Sequence, residues 1–100
     1  MAPAAPERYL LRLFVSGMTP RSTAAVARLK AICEQHLQGC CDLEVIDIYQ
    51  EPARAGQEQI VATPTLVRER PLPQRRLVGD LSDTARVLAG LGLPIPETRP

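Results

Sequence analysis

The sequence predicts a single α/β domain in the order βαβαββα, and three observations carry that prediction. A β-prone apolar run, Tyr9–Val15, is followed by a long amphipathic helical stretch and then by a second β-prone run over residues 43–49. Two shorter strand-like segments, over residues 64–67 and 75–78, flank closely spaced prolines. Finally, 100 residues at 45% hydrophobic content suffice for one core but not for two.

Residues 9–15 are almost continuously apolar, the pattern of a strand covered on both faces. Ser16, Gly17 and Met18 turn the chain. Thr19 then caps a helix whose first position suits Pro20. Val26, Leu29, Cys33 and Leu37 recur at helical spacing, with Ala25 and Ile32 beside them, so one face packs inward. Gly39 stops that helix. A strand over residues 43–49 completes a βαβ unit, whose strands run parallel with a right-handed crossover.

Glu51 and Pro52 open a short helix reaching Gln59, weakened by Gly56. Residues 64–67 read as a strand. The segment 70–73 turns, because closely spaced prolines sustain neither a helix nor a sheet ladder. Residues 75–78 return as an antiparallel partner. Ser82 caps a last helix carrying Ala85, Val87, Leu88 and Leu91, which Gly90, Gly92 and Pro94 bring to an end. This order is the thioredoxin-like topology. Residues 1–7 and 94–100 are expected to be flexible ends, leaving 8–93 as the domain.

Composition narrows the function classes. Two Tyr, one Phe and no Trp make the core aliphatic. A formal net charge of +1 supplies no electrostatic reason for nucleic acid or an anionic membrane as partner. No apolar run approaches the roughly 20 residues that cross a bilayer. The first residues lack the basic and apolar regions of a signal peptide, so a cytoplasmic location is expected. Cys33, Cys40 and Cys41 fit a reducing compartment. Adjacent cysteines rarely form an unstrained disulfide. With no C-x-x-C and one His, neither a metal nor any other cofactor is expected.

Four stretches carry a resemblance: residues 13–20 (Leu-Phe-Val-Ser-Gly-Met-Thr-Pro), 45–48 (Val-Ile-Asp-Ile), 62–66 (Ala-Thr-Pro-Thr-Leu) and 75–82 (Arg-Arg-Leu-Val-Gly-Asp-Leu-Ser). Together they resemble the circadian clock protein KaiB family, over residues 9–93. The same spacing occurs in the sensor domain of the clock-output histidine kinase. With no kinase domain following, a free-standing KaiB-type protein is the expectation. The resemblance implies a non-enzymatic, metamorphic protein with a tetrameric ground state ordered βαββααβ and a monomeric thioredoxin-like state. It also implies a protein partner, the ATPase ring KaiC, bound by the second state. Gln50, Glu51, Arg54 and Gln59 are the positions it assigns to that contact, with self-association as a further possibility.

The sequence departs from the clock pattern. Gly92 and Ile95 stand where clock members carry Asp and Tyr, with Pro94 between them. A ground-state strand through this segment is weakened, because Pro cannot donate to a ladder and Gly costs entropy in a strand. Pro64, Gly90, Gly92 and Pro94 are therefore the fold-defining positions, and the thioredoxin-like state is the one expected. Glu44, Gln50 and Gln59 replace Lys of clock members, which leaves a divergent partner, or a stress-response or chaperone-like role outside a clock, as alternatives.

A thiol- or glutathione-linked redox protein is the remaining alternative. In thioredoxins the reactive pair lies where the first strand meets its helix, whose N-terminus lowers the thiol pKa. Here residues 16–22 contain no cysteine. Cys40 and Cys41 follow the helix, at its negative end. Cys33 reads as a small core hydrophobe. Thr63, Pro64 and Thr65 resemble the cis-proline segment that pairs with extended peptides, but the favoured reading is that Pro64 only shapes the entry to the third strand. Arg68, Arg70, Arg75 and Arg76 read as a solvated hairpin. His36 lies where a helix dipole favours it. Asp47, within an apolar strand, is either capped or edge-exposed, or a buried carboxylate with a role.

Overall fold

The computed structural model describes residues 8–37, 40–79, 81 and 83–93. Its elements are β1 (Tyr9–Val15), α1 (Pro20–His36), β2 (Cys41–Asp47), α2 (Pro52–Gln57), β3 (Thr65–Arg70), β4 (Arg75–Val78) and α3 (Thr84–Leu91). The order is the expected βαβαββα, not the ground-state alternative. The strands form one sheet ordered β2-β1-β3-β4. β1 pairs parallel with β2 and antiparallel with β3, and β4 pairs antiparallel with β3.

Because β1 and β3 are central, apolar side chains of both strands are buried on each face of the sheet. Leu11, Leu13, Val15 and Leu66 meet Ala25, Leu29 and Ile32 of α1 and Val87, Leu88 and Leu91 of α3 in the main core. Phe14, Ile46 and Val67 form a smaller cluster, bordered by Ile48 and Ile60. Each such aliphatic side chain contributes about 1.5–3 kcal/mol on burial, so an aromatic-poor core still supplies the driving force.

Local chemistry sets the helix ends. The Thr19 hydroxyl accepts from the Ser22 N–H at 3.2 Å, and Pro20 starts α1 as expected. The inward stripe of α1 runs Ser22, Ala25, Leu29 and Ile32: Leu29 and Leu37 are buried as expected, while Val26 and Cys33 lie at the margin and their neighbours Ala25 and Ile32 take the centre. Asp83 caps α3, accepting from the Arg86 N–H at 3.3 Å, while the predicted cap Ser82 lies outside the described residues. Gly92 ends α3 at φ +78°, the left-handed conformation of a helix C-cap. A Cβ at Gly90 would collide with the Leu77 side chain, so any larger residue there would have to displace Leu77 from between α3 and β4. Thr63–Pro64, Arg70–Pro71 and Leu72–Pro73 are cis peptides. Gly39 and Pro94 lie outside the described residues.

Three boundaries differ from expectation. β2 begins at Cys41, opposite Tyr9, and ends at Asp47, two residues early at both ends. Asp47 ends it because its carbonyl accepts from the N–H groups of Gln50 and Glu51, at 3.1 and 2.9 Å. α2 stops at Gln57, and Gln59 turns away at φ +56° with the Ile60 N–H on the Ala55 carbonyl at 2.9 Å. β3 continues to Arg70, and Arg68 is buried, not part of a solvated hairpin.

Candidate partner-binding face

The C-terminal ends of the parallel strands β1 and β2 open into a groove of about 490 Å³, walled by α1 on one side and the edge strand β2 on the other. Open α/β sheets place binding crevices beyond such strand ends. Apolar lining comes from Val15, Met18, Val26 and Val45, and the polar groups on its rim include Lys30, Asp47 and Glu51.

Asp47 organises the rim. Its carboxylate oxygen accepts from the Gly17 N–H at 3.3 Å and the Tyr49 N–H at 2.9 Å, tying the β1–α1 turn to the β2–α2 turn. The capped alternative for this residue is therefore the one observed. Beside it, the Ser16 N–H donates to the Ser22 hydroxyl at 3.2 Å, and the Thr63 hydroxyl donates to Ser16 at 2.9 Å. The turns leave Met18, Tyr49 and Val61 at 92%, 74% and 92% exposure, large apolar side chains held in water by a fixed scaffold. Tyr49 and Val61 line one shallow pocket, and the Tyr49 ring lies next to Gly17, so the three side chains share one region.

A charged cluster flanks this region. Arg54 of α2 bonds both carboxylate oxygens of Glu44 on β2, at 2.6 and 2.9 Å. Arg12 of β1 approaches Glu44, Glu58 and Glu69 at 3.3–3.8 Å. Arg76 of β4 donates to the backbone carbonyls of Glu58 and Gln59, at 2.6 and 3.2 Å. The Arg54 guanidinium, helped by Arg12, holds the Glu44 carboxyl below its ordinary range. Glu44 thus has a partner on α2, which gives its acidic character a structural reason.

The four partner positions predicted from sequence do not form one cluster. Gln50 and Glu51 line the groove. Arg54 is occupied by Glu44, and Gln59 sits past the end of α2 with its carbonyl on Arg76. Sequence reasoning missed Met18, Lys30 and Val45 as groove residues, since only the packing of α1 beside β2 creates the groove. Asp47 was visible as a polar residue in an apolar strand. Among the described residues, no group of three or more His, Cys, Asp and Glu is placed to hold a metal. None of the described helices is long and apolar enough to cross a membrane.

Comparison with known proteins follows the same lines. The KaiB domain family model matches residues 12–93. The circadian clock oscillator protein KaiB of Synechococcus elongatus is 49% identical over 85 residues, covering 85% of this chain and 83% of its own. The oscillator protein KaiB1 of Synechocystis is 47% identical over 91 residues, covering 91% and 87%. Among solved structures, the N-terminal domain of Synechococcus elongatus SasA superposes with a TM-score of 0.70 at 29% identity, covering 92% of this chain and 90% of that domain. Chloroplastic thioredoxin z gives 0.71 at 20% identity, covering 86% and 77%, a likeness of fold.

Proposed function

This chain belongs to the KaiB family, and from that premise we propose that it is a non-enzymatic regulator that docks, in its thioredoxin-like state, on a KaiC-type ATPase. The observation that carries the reading is the exposed apolar group Met18, Tyr49 and Val61 beside a groove that Gln50 and Glu51 help to line. A monomer gains nothing by holding three large apolar side chains in water, whereas a partner surface can bury them. The β1–α1 turn, where thioredoxins carry their reactive pair, contains no cysteine, in keeping with a binding role.

The test is direct binding of the immobilised protein to the KaiC-type ATPases of its source organism, with nucleotide present. A saturable complex is expected, weakened about tenfold or more by Tyr49→Ala, since a buried aromatic anchor contributes on the order of 2 kcal/mol. Failure to bind every such ATPase would remove the reading. Binding unaffected by substitutions at Met18, Tyr49, Gln50 and Glu51 would move the interface elsewhere.

A further inference from the structure

The two faces of the sheet are covered differently. Helices α1 and α3 pack on the face that carries Leu11, Leu13, Val15 and Leu66. The opposite face carries Phe14, Ile46 and Val67, each 0% exposed, with Ile60 packed against them. Arg12 and Glu44 project from this second face, two residues before Phe14 and Ile46. They reach Glu58 and Arg54, so the segment that covers the second face is residues 52–60.

That cover is thin. α2 has six residues, includes Gly56, lacks a side-chain cap bond and buries none of its side chains. A helix this short does not hold itself together in water. Ile60 is its apolar contact with the cluster beneath. The other attachments are polar. Arg54 bonds both carboxylate oxygens of Glu44, at 2.6 and 2.9 Å. Arg76 of β4 donates to the Glu58 and Gln59 carbonyls, at 2.6 and 3.2 Å, and Arg12 stands 3.8 Å from the Glu58 carboxylate. By contrast, the turns on either side are tied to the body of the fold. The Glu51 N–H donates to the Asp47 carbonyl at 2.9 Å, and the Thr63 hydroxyl donates to Ser16 at 2.9 Å.

We propose that residues 52–60 are a lid over the apolar second face, latched by Arg54 and Arg76 and hinged at those two turns. Opening leaves the four strands paired and α1 and α3 in place, and brings Phe14, Ile46 and Val67 to water. Both latch arginines keep contact with solvent, so salt reaches them. At about 1 M salt the Debye length falls to about 3 Å, and the latches weaken. The packing of α1 and α3 is mainly aliphatic and has little charge to screen. Glu51 borders both the lid and the groove, so opening also frees one part of the groove rim. The lid makes that rim responsive to ionic strength.

Residue-resolved hydrogen exchange by NMR, at about 0.05 M and about 1 M sodium chloride, tests the lid. The amides of Ala55, Glu58 and Ile60 are hydrogen-bonded within it and report its opening. They should be at least about tenfold less protected than the amides of β1 and β3. Salt should speed their exchange about fivefold, relative to unstructured peptides, and leave β3, β4 and α3 unchanged. Arg54→Met should reproduce that increase at low salt and blunt the salt response, with circular dichroism confirming the fold. In the same variant at low salt, hydroxyl-radical footprinting should oxidise Phe14 about fivefold faster than in wild type. Lid amides as protected as those of β1, no response to salt or to Arg54→Met, an unchanged Phe14 rate, or loss of protection in β3 and α3 together with the lid would each overturn the proposal.

Discussion

Arg68 supplies the sharpest test of how α3 is held. It is 5% exposed, in the central strand β3. One terminal nitrogen donates to the Leu91 carbonyl at 2.6 Å, in the last turn of α3, and the other to the Pro73 carbonyl at 2.6 Å. Its Nε is buried with no partner. A cation at the negative end of a helix dipole is favoured, and a hydrogen bond from a charged donor contributes about 1.5–3 kcal/mol. Against this stands the cost of burying the charge, part of which its removal returns.

Arg68→Met keeps the length of the stem and leaves two carbonyls unpaired, so a net loss of about 3 kcal/mol is expected. At roughly 4–8 °C per kcal/mol for a domain of this size, the melting midpoint should fall by about 12–24 °C. Thermal and urea unfolding followed by circular dichroism measure the loss. Hydrogen exchange localises it, because amides of α3 should lose protection before those of β1. Arg68→Lys, which keeps the charge but lacks the fork to reach both carbonyls, should fall between. A midpoint for Arg68→Met within about 0.5 kcal/mol of wild type would show desolvation cancelling the bonds, and the reasoning about this clasp would fail.

Other substitutions probe the remaining features. Gly92→Ala places a side chain at φ +78° with its Cβ 3.1 Å from the Arg68 guanidinium, and should cost about 1–2 kcal/mol in urea unfolding. Gly92→Asn should cost less, because Asn tolerates that conformation. Gln59→Gly removes a non-glycine residue at φ +56° and should raise the midpoint by about 0.5–1 kcal/mol, read by the same unfolding curves. The Glu44 carboxyl is lowered in the folded state by Arg54, so its contribution is present above the unfolded value of about 4.3 and is lost as acid titrates the folded carboxylate. Wild type should therefore exceed Glu44→Gln in stability at neutral pH, and the difference should shrink as the pH falls below about 4. A constant difference across that range would disconnect Glu44 from the pair.

The first half of the fold was legible because its signals are local and periodic. The run Tyr9–Val15, the Thr19 and Pro20 start and the helical spacing from Ala25 to Leu37 each specify one structure. β2 was misplaced by two residues because Ile48 and Tyr49 are as β-prone as the strand itself, and what ends it is the hydrogen bonding around Asp47. Arg68 was misread for a related reason: its charge suggested solvent, and its partners are backbone carbonyls from distant segments, which carry no sequence signature. The site was the least legible part. Gln50 and Glu51 reached the groove, but Met18, Lys30 and Val45 join it only through the placement of α1 against β2.

The aromatic-poor composition has an optical consequence. With no Trp and two Tyr in the sequence, emission excited at wavelengths beyond phenylalanine absorption comes from Tyr9 and Tyr49. Tyr9 lies in the sheet as a partner of Cys41, while Tyr49 stands at 74% exposure beside the groove. The chain thus carries a built-in reporter at the proposed docking face. A bound partner containing Trp would drain tyrosine emission by energy transfer, so association can be followed without attaching a dye to the surface under study.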